Sequence, residues 1–173
     1  MSSNQTLLFK AKNLFASYRN NIIKIHSNFI HQASPNPITL VYRGELKNDK
    51  IESKIFVSGN SIKIPYSLLP NQMQNFKSNQ MSLRVWLNLR DTNVIRASGN
   101  ISTDRLSMNI GKSIYTVENI NSDILFVKEK ESETLSLMRM NYVINDTNIT
   151  NNKIVVSKDN KRNMKIFIKE NGN

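Results

Sequence analysis

The sequence predicts a mainly β protein, a jelly-roll-like antiparallel sandwich or barrel preceded by one N-terminal amphipathic helix. Three observations carry that expectation. From Ile38 onward the chain is a succession of short runs rich in β-branched and aromatic residues, separated by Gly, Asn, Asp and Pro. In one of those runs, Met81 to Val94, Leu83, Val85, Leu87 and Leu89 alternate with Ser82, Arg84, Trp86, Asn88 and Arg90, the period of a half-buried strand. Helical spacing is confined to the first thirty residues, and no strand-helix-strand alternation follows.

The elements read as follows. From Thr6 to about Ile30, Leu7, Ala11, Leu14, Phe15, Tyr18, Ile22 and Ile25 recur near helical spacing among basic residues, with Asn20-Asn21 as a candidate break. Such a basic amphipathic helix can pack on a sheet, lie on a membrane surface or meet a partner. Its candidate contact residues are Lys10, Lys12, Phe15, Arg19 and Lys24. Ala33 to Pro37 breaks the helix, because a residue before proline is pushed out of the helical region. Strands are expected over Ile38–Leu46, Ile51–Val57, Ser61–Tyr66, Leu83–Leu89, Arg105–Ile110, Ile124–Val127, Leu135–Ile144, Lys153–Val156 and Met164–Ile168. Thr116 to Asn119 could start one helical turn. The expected organisation is a helical segment over 1–32, a β core over 38–157 and a basic segment over 158–173.

Asp91 closes the alternating strand on the apolar parity, which aims its carboxylate toward the edge of the core. Burying an ionised carboxylate without partners costs several kcal/mol or more, so it is paired, held in a turn, or functional. A plain turn cap before Thr92-Asn93 satisfies the same pattern.

Composition narrows the chemistry. A chain of 173 residues suits one domain, and the absence of cysteine removes disulfides, thiolate metal sites and thiol nucleophiles. His26 and His31 are five apart, the wrong spacing for a helical metal pair, so no metal or other cofactor is expected. Gly111-Lys112-Ser113 lacks the upstream glycine of a phosphate-binding loop, since Leu106 stands there. Glu118 with Asp123, or Asp91 with Asp104, could flank a site, but sequence separation does not show that either pair meets and solvated acids far outnumber catalytic ones; with no Gly-x-Ser-x-Gly elbow, an enzyme is not expected. No apolar run is long enough for a helical membrane span, and no signal-peptide core is evident, so a cytosolic start is expected.

The formal net charge of +11 points to polyanions, nucleic acid or an anionic membrane surface. Arg84, Trp86 and Arg90 share one face of the alternating strand, the composition of a stacking platform for single strands. Packing of Trp86 beneath the N-terminal helix is the plainer alternative. Lys153, Lys158, Lys161, Arg162 and Lys165 could supply further phosphate contacts.

The order of Ile62 to Pro70, the strand ending in Asp91-Thr92-Asn93-Val94, Tyr115 to Ile120, Ile124 to Val127, Leu135 to Leu137 and Tyr142 to Ile144 resembles the core of the thirty-kilodalton superfamily of plant-virus cell-to-cell movement proteins. A plant rhabdovirus-like virus is the expected source. The resemblance implies that Asp91 matches that family's signature Asp, while Asn93 stands where many members carry Arg. It implies a jelly-roll-like domain that binds single-stranded RNA or viral nucleocapsid without sequence specificity, self-associates and promotes transport through plasmodesmata. The implied localisation is the host cytoplasm and plasmodesmata, peripheral to the endoplasmic reticulum or plasma membrane, with host components of those sites as partners. A small viral matrix protein that binds nucleocapsid and membrane is the alternative from another class.

Overall fold

The computed structural model describes residues 9–31, 34, 36–47, 50–62, 76–78, 80–110, 113–144, 146–160 and 163–169. Eleven strands form one antiparallel sheet: β1 (Phe9–Arg19), β2 (Ile22–His31), β3 (Ile38–Lys47), β4 (Lys50–Ile62), β5 (Phe76–Ser78), β6 (Met81–Arg90), β7 (Asn93–Ile110), β8 (Ser113–Lys128), β9 (Ser132–Ile144), β10 (Thr147–Asp159) and β11 (Met164–Lys169). Each strand pairs with its neighbour in sequence, except that β4 pairs with β6 and the short β5 lies on the far part of β7, past the end of β6. The topology is thus a continuous meander. A jelly roll needs Greek-key crossovers between two sheets. Here Arg19 pairs with Ile22, Lys47 with Lys50, Arg90 with Asn93, Ile110 with Ser113 and Ile144 with Thr147. At these five places a connection of two residues returns the strand directly beside the last.

The expected N-terminal helix is replaced by the β1–β2 hairpin. Asn20 and Asn21 both have positive φ, 50° and 59°, the conformation of a two-residue hairpin turn whose twist matches the flanking strands. What resembled a helix break is the turn, and the apolar residues around it divide between two sheet faces. Lys10, Lys12, Phe15, Arg19 and Lys24 therefore stand on strands, and all of them are exposed. Thr116 to Asn119 likewise belongs to β8 and forms no helical turn. The expected strand over Ser61–Tyr66 is described only through Ile62; the remainder lies outside the described residues.

Register sorts the side chains into two faces. On one face, Ala16, Ile25, Tyr42, Ile55, Leu87, Ala97, Phe126, Leu135, Val156 and Ile166 form an unbroken cross-strand ladder. Beside it run Leu14, Ser27, Leu40, Val57, Val85, Gly99, Ile124, Leu137, Ile154 and Ile168. Neither ladder contains a charge. Burial of this face is nonetheless slight, because among the described residues substantial contacts occur only between strands that are neighbours in the sheet and no second layer covers it. Among the described residues, Ile62 and Ala97 are the only hydrophobic side chains that are buried outright.

The small residues are buried instead, overtopped by their neighbours. Ser27, fully buried, donates from Oγ to the Asn13 carbonyl at 2.8 Å, and Ser122 donates to the carbonyls of Asp123 and Met138. Gly99 is required by close approach: a Cβ there would collide with the Arg84 carbonyl on β6. Register shifts in β8, β9 and β10 coincide with positive φ at Asn119, Arg139 and Asn151, the mark of β-bulges that redirect side chains.

Candidate nucleic-acid interface

The opposite face carries polar and cationic rows on either side of a central ladder rich in aromatic rings. Its central ladder runs Phe15, His26, Val41, Phe56, Trp86, Ser98, Leu125, Ser136, Val155 and Phe167, from one edge of the sheet to the other. Aromatic rings recur along it because each occupies the same parity of its own strand and the register aligns them. Trp86 leans on Phe56 with centroids 4.6 Å apart and planes inclined at 36°, within the range of favourable aromatic pairs. Phe15 and His26 form a looser pair at 6.4 Å. Trp86 stays 52 % exposed, so it does not pack beneath the N-terminal segment.

On one side of the aromatic ladder lie Ser17, Lys24, Arg43, Lys54, Asn88, Arg96 and, at the far edge, Lys165. Lys24, Arg43 and Lys54 are direct cross-strand neighbours. Strands are spaced about 4.8 Å apart, and like charges placed directly opposite one another are destabilising. Among the described residues none of these three, nor Arg96, has an ion-pair partner. On the other side lie Asn28, Thr39, Ser58, Arg84, Asn100 and Asp123. Asp123 is held by Arg139, whose bulged backbone delivers its guanidinium to this face. Arg84, Trp86, Arg96, Asn100 and Arg139 thus surround one open depression with Phe56 in its lining.

Of the residues expected from the sequence, Arg84, Trp86 and Arg90 do share this face of β6, with Arg90 also 4.0 Å from Glu52. Phe15, Arg19, Lys24, Lys153 and Lys165 are on it too. Lys158 is not: it lies on the apolar-face side, beside the Lys128–Glu133 pair. Lys161 and Arg162, like Gly111 and Lys112, lie outside the described residues. Sequence reading missed Phe56, Arg43, Lys54 and Arg96 as members of the surface. Each had the right parity on its own strand, but only the inter-strand register brings them together.

Asp91 occupies the two-residue turn between β6 and β7, with φ 55°, and is exposed rather than aimed at a core. Its amide donates to the Ile51 carbonyl at 2.7 Å and its Oδ1 accepts from the Ile51 amide at 3.1 Å. This reciprocal pair ties the β6–β7 turn to the start of β4. Asp and Asn tolerate the left-handed conformation better than other side chains, which accounts for an acid at this point.

Among the described residues, no group of three His, Asp or Glu side chains could hold a metal ion, and no helix is long and apolar enough to cross a membrane. No family model, curated protein or solved structure matches the chain.

Proposed function

We propose that this chain is a non-enzymatic module that binds single-stranded nucleic acid across its cationic face. Bases stack on the Phe56–Trp86 pair, and phosphates lie along Lys24, Arg43, Lys54 and Arg96. The observation that carries this reading is an exposed tryptophan, braced by a second ring, between two rows of side chains that include arginines with no ion-pair partner among the described residues. Aromatic side chains beside a cationic track bind single strands with little sequence preference, because every base has a π-face. A phosphate between Lys24, Arg43 and Lys54 would also relieve their mutual repulsion.

The larger role proposed is that of a viral movement protein, carrying RNA or nucleocapsid from cell to cell. That role, and a jelly-roll relationship, rest on the order of sequence segments around Asp91 and not on the meander. Filter binding or fluorescence anisotropy with unstructured single-stranded RNA tests the binding. Expected are quenching of Trp86 emission on binding and affinity that falls steeply with added salt. Salt-independent binding, or saturation without quenching, would overturn the assignment. For the larger role, a fluorescent fusion in leaf epidermis is expected to form puncta at cell-wall channels and enter neighbouring cells. A signal confined to the expressing cell counts against it.

A further inference from the structure

Among the described residues no second layer covers the apolar face. Its two central ladders are free of charge, and at the edge strands Leu14, Ile166 and Ile168 are 63 %, 62 % and 58 % exposed. The chain as a whole exposes 13026 Å². A compact protein of its mass, 19.9 kDa, exposes about 8,700 Å². Obligate homodimer interfaces bury roughly 2,000–5,000 Å² and resemble a domain core cut in half. Such interfaces count area from both partners, and the excess is about 4,000 Å² on each chain over both faces of the sheet, so half of it from each copy already supplies an interface of that class.

We propose that two copies of this chain stack apolar face to apolar face, forming a β-sandwich whose core exists only in the dimer. Three features of the molecule select a second copy. The ladders offer no charge with which to recognise a charged partner, and a charge-free apolar surface meets its own copy without repulsion, which a two-fold interface requires. Among the described residues, charges on this side stand at its margins: Arg105 pairs with Glu118 at 3.5 Å and Lys128 with Glu133 at 2.7 Å, with Lys158 beside the second pair, in the manner of a polar rim. The opposite face carries Lys24, Arg43, Lys54, Arg84 and Arg96, so it repels its own copy and is directed outward. Edge-to-edge pairing through β1 or β11 would lengthen the sheet but leave the apolar face in water. Face-to-face stacking at the usual separation of about 10 Å removes it.

The test combines mass with face-specific labelling. Light scattering on the full chain at tens of micromolar is expected to give twice the chain mass; a monomer overturns the proposal. Because the chain has no cysteine, Val57→Cys and Ser58→Cys each take a single nitroxide label on adjacent residues of opposite faces. The label at 57 is expected to be shielded from a water-soluble nickel relaxant and the label at 58 to be open to it. Equal accessibility would sink the idea. Shielding at 57 that arises only with vesicles of mixed phosphatidylcholine and phosphatidylserine would do the same, assigning the face to lipid. Leu87→Lys places an unpaired charge in the interface and should weaken the dimer by about 100-fold or more, with β-sheet circular dichroism retained in the monomer. A Leu87→Lys protein that remains folded and dimeric also overturns the proposal.

Discussion

The two faces of this sheet are made from alternate residues of the same strands, and they differ in nearly every physical respect. One carries two charge-free ladders with small residues at its most buried points. The other carries a ladder of rings flanked by cations that face one another across strands. In an ordinary half-buried sheet the apolar face stabilises the fold and the polar face is merely solvated. Here the polar face bears a strain of its own, the Lys24–Arg43–Lys54 row, while among the described residues the apolar face has no covering layer. Both departures have one remedy, a partner, and the chemistry of each face specifies a different one.

The comparison breaks most decisively at Gly99, where the strands approach too closely for any side chain. Gly99→Val is expected to cost about 3 kcal/mol of stability, because the added atoms meet β6 backbone that cannot move aside. Urea denaturation measures it. A variant as stable as the parent would show that β6 and β7 are not tightly apposed, and with that the alignment of both faces would fail.

Next in size is the cationic row. Replacing Lys24, Arg43 and Lys54 together by Gln should lower the slope of log affinity against log salt for single-stranded RNA by about 2, from about 0.7 per phosphate contact. The same variant should be no less stable than the parent, since neutralising opposed like charges removes a repulsion. Trp86→Ala should weaken RNA binding by about 1–3 kcal/mol, with Trp86→Phe close to the parent. An unchanged slope in the triple variant would return these residues to the role of solvating charges.

How far the sequence alone leads is clear from particular residues. The alternation in β6 is legible because Leu83, Val85, Leu87 and Leu89 face one way and Arg84, Trp86 and Arg90 the other, whatever the partner strands are. The β1–β2 hairpin is not legible. Asn20-Asn21 is a weaker turn signal than Asn-Gly, and Leu14 and Phe15, adjacent and both apolar, break the alternation because the two faces of β1 each present an exposed hydrophobic residue. The meander itself rests on two-residue connections at five places, which local composition suggests only in part. The candidate site was visible as single residues on β6. The neighbours that complete it, Phe56, Arg43, Lys54 and Arg96, depend on register, a long-range property of pairing.

Asp91 offers a smaller effect. Asp91→Ala removes the acceptor for the Ile51 amide at an exposed site and places a less tolerant residue at φ 55°, an expected loss of about 1–2 kcal/mol in stability. Asp91→Asn keeps both an acceptor and tolerance of that conformation, and should lose less than half as much. Equal losses for the two variants would assign the effect to the charge rather than to the turn.

The smallest effect tests the margin of the apolar face. Lys128 donates to Glu133 at 2.7 Å, and this bond, with the charges of Lys128 and Lys158, holds the Glu133 carboxyl below its ordinary value of 4.5. Because the folded value is the lower one, the pair stabilises the protein above the ordinary value, and that contribution is lost as pH falls through the lowered one. Stability curves of the parent and Glu133→Gln should therefore separate modestly near neutrality and converge in acid. In free chains the pair is open to solvent, so added salt should close the gap at neutral pH. Stacking of a second copy over the apolar face would exclude ions from the margin, and the gap would then survive salt in the dimer while vanishing in monomeric Leu87→Lys. A gap that responds to salt identically in both proteins would place the pair beyond the reach of the interface.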